Sequence, residues 1–169
     1  MTLTKKLFII NFAGACLVGW AWWLGYVHRL TDADGAHMAY IIATVFLTGV
    51  ASTFMLARAT DKRLRQCGWL NDEKRKAHDG LVRSSAHLYD LFSALFILGI
   101  IGNAIGFLNA FSGVNVADLA TPEGVRAAGA QLLSGAGTAF GSTLVGLSLA
   151  LWTSVNLRVL ATGQDRLNG

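Results

Sequence analysis

The side chains that most often carry chemistry are few in this chain and poorly placed for it. Of four histidines, His28, His37, His78 and His87 all fall at or beyond the ends of apolar runs. Paired histidines at membrane depth could ligate haem, as in a small tetraspan cytochrome, but these positions favour interfacial packing. Cys16 stands in an apolar run and Cys67 in a basic one, which suits neither a disulfide framework nor a zinc site. Ser84-Ser85 lacks a nucleophile-elbow context, Gly99-x-x-Gly102 does not open a helix after a strand, and no HExxH or CxxC occurs. These residues predict no enzyme, no metal site and no cofactor.

Polar side chains inside otherwise apolar runs are more informative. Asn103 stands near the middle of one run, and Thr138, Ser142 and Thr143 stand in the last. A polar group at membrane depth must find a partner or a wet cavity. Ser and Thr can bond back to their own helix, whereas an amide satisfies itself less easily. Around these residues small side chains recur every four positions. Gly102, Gly106 and Ala110, with Gly99 nearby, form one series; Gly135, Ala139 and Thr143 form a second, and Ser142, Gly146, Ala150 and Ser154 a third. Positions i and i+4 share a helix face, and missing side chains let another backbone approach. The spacing therefore predicts a last helix that packs on two sides within a tight bundle or an oligomer.

The elements that must position these groups follow from composition. The chain has 169 residues, 53% hydrophobic and only 14% charged, against roughly 25% charged in soluble domains, and its mean hydropathy is +0.48. Lipid is the expected solvent, and a single all-α membrane domain over 1–169 the expected fold. A spanning helix needs about 20 apolar residues, and four runs supply them: 7–27, 38–57, 91–111 and 132–157. The last lies within the uncharged stretch Ala127 to Leu157, roughly 46 Å as helix. Its first turns should project from the bilayer, beginning at Thr121-Pro122-Glu123, which reads as N-cap, first helical position and dipole-complementing acid.

Twelve of the 14 basic residues lie at the N-terminus, in segment 58–88 or at the C-terminus, leaving Arg29 and Arg126 on the other side. The positive-inside rule then predicts cytoplasmic termini, a cytoplasmic helical loop over 58–88, and a multi-pass membrane protein. Lys5-Lys6 before an apolar run also fits a signal peptide, but the length of that run, its Trp20, Trp22 and Trp23, and the lack of a small-x-small cleavage site favour a retained span. Segment 60–86 contains eleven charged residues and no complete apolar face. It reads as a solvated extension of spans two and three, with a turn near Gly68 to Asp72, rather than as a nucleic-acid or anionic-lipid patch.

The last two spans resemble a known family. Leu98-Gly99-Ile100-Ile101-Gly102-Asn103-Ala104-Ile105-Gly106-Phe107-Leu108-Asn109-Ala110-Phe111 resembles the LGLLGTVxGMxxAF pattern of the MotA/TolQ/ExbB proton-channel family. Gly135 to Leu147, with Thr138, Ala139, Thr143 and Gly146, resembles that family's GxxxALxxTxxGL. The resemblance covers about 50 of 169 residues and implies a homopentameric ring around a pair of single-span partners of the ExbD/TolR/MotB kind, each carrying an essential Asp. It implies a motor stator or protein-transport unit driven by protons, or by sodium, with no nucleic acid involved. The family's pathway threonines fall on Asn103 and Thr143, with Ser142 and Thr138 alongside; the acidic residue of the ExbB and TolQ branch falls on Thr138. Gly99, Gly102, Gly106, Ala110, Gly135, Ala139, Gly146 and Ala150 are the expected packing residues, and their ladders the expected smooth walls for a moving partner. Where the family often has Ala-Ile-Pro, this chain has Ala150-Leu151-Trp152. Two spans precede the cytoplasmic segment, as in the MotA branch, but that segment is too short for the large domain that engages a flagellar rotor. The alternative is a non-conducting scaffold assembled around a partner helix.

Overall fold

A computed structural model describes residues 2–34, 37–66, 71–114 and 119–166. Cys67, Asp118 and most of the turn expected at Gly68 to Asp72 lie outside the described residues. Among the described residues five α-helices follow in order: α1 (Leu3–Trp23), α2 (Tyr26–Ala33), α3 (Met38–Gln66), α4 (Asn71–Ser112) and α5 (Pro122–Asp165). All but the short α2 are long and apolar enough to cross a membrane, so the chain is an all-helical, multi-pass membrane protein. In hydrocarbon every backbone N–H and C=O must be paired internally, which helices do within one segment.

Burial follows lipid logic. The interior holds Thr53, Thr60, Ser85, Ser142, Thr153 and Asn156, while Phe8, Phe12, Trp23, Leu47, Met55, Leu133 and Phe140 face outward. A soluble domain of this size distributes these residue types the other way. Most buried hydroxyls are satisfied within their own helix: Thr53 donates to the Gly49 carbonyl at 2.8 Å, Thr60 to Leu56 at 2.9 Å and Thr153 to Leu149 at 2.8 Å. The interior positions step by four and three, through Ile42, Phe46, Gly49, Thr53, Ala57 and Thr60 on α3 and through Leu95, Gly99, Gly102, Gly106 and Ala110 on α4. That spacing is the seam of a left-handed coiled-coil packing.

Helices α4 and α5 form an antiparallel hairpin with the largest interface in the chain, and α3 lies against both. Their 42 and 44 residues correspond to roughly 60–65 Å, about twice a hydrocarbon core, so both must extend beyond it. The start of α5 follows the sequence closely: Thr121 is the N-cap, its hydroxyl accepting from the Gly124 N–H at 3.1 Å. Charged segment 58–88 continues α3 to Gln66 and carries α4 from Asn71.

The first apolar run, expected over 7–27, forms a helix of the same length set four residues earlier, Leu3–Trp23. Gly25 takes φ +77, its N–H donates to the Trp22 carbonyl at 2.9 Å, and α1 stops there. A left-handed residue closes a helix, and glycine adopts that conformation without steric cost. The chain then turns back as α2, which lays Leu30 over Gly141 of α5. At the start of α3 the buried Asp34 carboxylate accepts from the Ala39 N–H at 2.6 Å.

Of the four long helices α1 is the least embedded, with only 6% of its most apolar window buried. Leu3 and Leu7 insert among Ala57, Leu88, Leu157 and Leu160, and Asp61 of α3 caps the helix from outside. The Asp61 carboxylate accepts from the Leu3 and Thr4 N–H groups at 2.9 Å each and from the Thr4 hydroxyl at 2.7 Å. Asp61 lies beyond the apolar part of α3. Burial raises its proton affinity, but the Thr4 hydroxyl, the two N–H groups and the nearby Arg65 charge outweigh this and hold its carboxyl below the usual range.

A depressed folded-state pKa stabilises above the unfolded value and loses that contribution as pH falls through the folded value. Attachment of α1 should therefore be constant above about pH 4, the unfolded carboxyl range, and weaken below it. Thermal unfolding in detergent between pH 6 and pH 3 tests this. Asp61→Ala should lower stability by about 0.5–2 kcal/mol, as for loss of an N-cap, and should flatten the acid-dependent part of the curve; an unchanged acid limb would show that Asp61 does not govern it.

Candidate functional site

The candidate site is the seam between residues 95–110 of α4 and 135–150 of α5. At Gly106 an added Cβ would lie 2.5 Å from the Ala139 backbone nitrogen, and at Gly146 it would lie 2.8 Å from Gly99 Cα. Gly135 faces Ala110, whose Cα such a Cβ would approach to 2.6 Å. Here two backbones touch, and neither helix can accept even a methyl group without moving.

Both ladders of α5 are thus spent within the chain. Gly135 and Ala139 meet Gly106 and Ala110, Gly146 meets Gly99, and Ala150 joins Ile42, Phe46 and Leu95 in an apolar cluster shared with α3. The smooth walls expected for a moving partner are therefore turned toward each other. The surface this hairpin presents outward includes many large residues, among them Ile97, Ile100, Ile101 and Leu108 on α4 and Leu144, Leu147 and Leu151 on α5.

The four polar residues picked out by sequence gather along this seam. Ser142 is fully buried over Gly102 and donates to the Thr138 carbonyl at 2.9 Å and the Ala139 carbonyl at 3.1 Å. Thr138 is buried one turn away. Thr143 donates to the Ala139 carbonyl at 3.0 Å and reaches across to the Gly99 carbonyl of α4 at 3.3 Å. Gly99 is one helical turn before Asn103, so Thr143 and Asn103 meet the same turn of α4.

Asn103 differs from the hydroxyls. Its side-chain oxygen is buried and has no hydrogen-bond partner. Such an oxygen costs about 1–3 kcal/mol, and orphaned groups of this kind are rare enough in folded proteins to need a cause. A second unpartnered oxygen, Asp34 Oδ1, lies at the α2–α3 junction. The two flank one contact, since a Cβ on Gly102, next to Asn103, would come within 3.4 Å of Met38 Cβ, next to the Ala39 that Asp34 caps.

One polar cluster is absent from the sequence reading. Asn11 of α1 and Asn156 of α5 exchange side-chain hydrogen bonds at 3.0 and 3.1 Å, and the Trp152 indole donates to Asn11 at 3.0 Å. The Trp152 ring also packs on Phe46, with centroids 5.0 Å apart, and fills the space that a side chain at Gly14 would need. The signal was present: both amides stand inside apolar runs, near the same end of spans one and four. Trp152 thus helps to fasten α1.

The four histidines serve separate contacts. His87 meets the Ser52 hydroxyl at 2.6 Å, His78 lies between Asp79 and Asp165, His28 packs on Trp22, and His37, at φ +53, lies beside Tyr40. Among the described residues no group of three or more histidine, cysteine or acidic side chains could hold a metal ion. No family model matches the chain, nor does any curated protein or any solved structure.

The seam makes a direct prediction about tolerance. Gly106→Ala places a methyl against backbone and should cost about 1–3 kcal/mol, the usual range for overpacking. Gly19→Ala, at a position with nothing within 4 Å, should be neutral or slightly stabilising. Unfolding midpoints of the two variants in one detergent provide the comparison, and equal midpoints would contradict the seam.

Proposed function

We propose that this chain is the multi-copy subunit of an ion-driven membrane complex that couples proton flow, or sodium flow, to movement of a single-span partner pair. The observation that carries the reading is the Asn103 oxygen, buried and unpartnered on a seam whose Ser142 and Thr143 hydroxyls are already bonded. The motif resemblance of 98–111 and 135–147 to the MotA/TolQ/ExbB family gives it a direction. In this reading five copies surround partner helices that each bring an Asp, and both termini and segment 58–88 face the cytoplasm from the bacterial inner membrane.

The chemistry divides between the chains. No span centre here has an acidic or basic side chain, so in this reading the titrating group belongs to the partner. Asn103 supplies an amide donor and acceptor, and the Thr143 hydroxyl, whose proton is bonded to carbonyls, adds an acceptor oxygen on the same seam; together they lower the cost of a hydrated ion at that depth. Protonation of the partner Asp removes the charge, reduces its desolvation cost against the apolar wall and permits a step. Asp34, at the α2–α3 junction, is on the side from which an ion arriving from outside would enter in this reading. The short charged extensions of α3 and α4 suit an envelope or defence load better than a flagellar rotor.

The scaffold reading draws on one specific observation: the small-residue ladders are used up inside the subunit, leaving an outward surface of large apolar side chains. Proton flux separates the two. In vesicles containing the chain and an Asp-bearing single-span partner, wild type should conduct while the chain alone should not. Thr143→Val and Asn103→Leu should each lower flux roughly tenfold, the effect of about 1.4 kcal/mol, with assembly retained. Ser154→Ala, which loses only a bond to the Leu151 carbonyl, should change little. Wild-type flux in both polar variants would favour the scaffold.

A further inference from the structure

Two cavities open at the basic end of the bundle, and cations line both. One, of about 650 Å³ between α3 and α4, is lined by Arg63, Gln66, Lys76 and Ser84 with Ala77 and Leu81. The other, of about 250 Å³ between α1 and α5, is lined by Lys6, Arg158, Thr162 and Arg166 with Leu3 and Val159. Among the described residues no acidic side chain lines either cavity, and the only ion contacts within 4 Å belong to His78. Five cations thus border two concave sites that no described carboxylate lines.

The walls identify the class of ligand. Arginine offers a planar fork of donors matched to phosphate oxygens, lysine a mobile point charge, and Gln66 an amide donor. The Ser84 and Thr162 hydroxyls are already committed to the Gly80 and Arg158 carbonyls at 2.8 and 2.9 Å, so the donors are chiefly the cations. Each cavity also has an apolar side. Within a few turns along α1 and α5 the exposed residues become Phe8, Ile9, Phe12, Leu151 and Val155, a surface for acyl chains. Cations directly bordering an apolar belt suit an amphiphile with an anionic head better than a soluble anion.

We propose that these two cavities bind the phosphate head groups of anionic glycerophospholipids, one at α3–α4 and one at α1–α5, fastening the peripheral α1 and the charged extensions to the membrane surface. On sequence alone the solvated reading of segment 60–86 stands ahead of an anionic-lipid patch, because basic residues beside a membrane follow from topology; what changes the balance is the convergence of these cations on two cavities. The proposal is independent of ion conduction.

The test uses the full chain, delipidated in mild detergent and titrated with phosphatidylglycerol or phosphatidylcholine while bound lipid is counted by native mass spectrometry. Wild type should retain phosphatidylglycerol at least tenfold more tightly than phosphatidylcholine. Lys6→Gln/Arg158→Gln/Arg166→Gln and Arg63→Gln/Lys76→Gln should each lose roughly tenfold in affinity. A control that removes at least as many charges as either variant, Lys5→Gln/Arg58→Gln/Arg83→Gln, takes away exposed cations that line neither cavity and should stay within twofold of wild type. If a combined variant does not fold, single Arg158→Gln and Arg63→Gln replace it. Equal loss in the control, or equal retention of the two lipids, would overturn the proposal. Displacement of phosphatidylglycerol by millimolar inorganic phosphate would also overturn it, in favour of a soluble anion site.

Discussion

Backbone contact between α4 and α5 is the constraint on which the rest of the structure depends. Lipid removes the hydrophobic drive that brings helices together in water, so association must come from close packing and from polar contacts. Gly99 against Gly146, and Gly106 against Ala139, bring two helices together where no side chain intervenes. Many weak dispersion contacts then accumulate along the seam. The four-and-three stepping continues into α3, so one geometry organises three helices. Helix α1 lies outside that seam, and its attachment is of another kind: two inserted leucines, an external carboxylate cap and a reciprocal pair of amides beside an indole.

The same closeness explains the polar inventory. A seam this tight leaves no room for long side chains, so its polar members are small and bond to carbonyls at hand, as Ser142 and Thr143 do. Asn103 is longer, half-buried and left with an unpartnered oxygen. Its cost is tolerable where the oxygen meets water, an ion or a donor from another chain, and the functional reading follows from that one physical exception. Proton coupling by a partner carboxylate uses such a group naturally, because hydration at one depth and an apolar wall at another give the carboxylate two environments of different proton affinity.

Much of this was legible in the sequence because lipid imposes long, simple patterns. Span positions, the Thr121-Pro122 start of α5 and the small residues of the last two spans could be read from runs and spacings. What a ladder faces could not. Period four places Gly146 and Ala150 on one face, but only the fold decides whether that face meets the same chain or a neighbour. The break at Gly25 was hidden because an apolar run carries no mark of backbone direction. Asn11 and Asn156 lie 145 residues apart, and pairing them needs the antiparallel placement of α1 on α5. Asp61 was read as one charge among many, although its hydrogen bonds at the start of α1 distinguish it.

Access of water to position 103 is the most direct measure of the central claim. With Cys16→Ser and Cys67→Ser as background, Asn103→Cys, Ile97→Cys and Leu108→Cys can be treated in native membranes with a small water-soluble thiol reagent. The account predicts that position 103, half-buried on the seam, reacts at least tenfold faster than the two positions exposed on the apolar surface. Reaction at 103 as slow as at 97 and 108 would show that the Asn103 oxygen meets no water in the membrane, and would contradict the ion pathway.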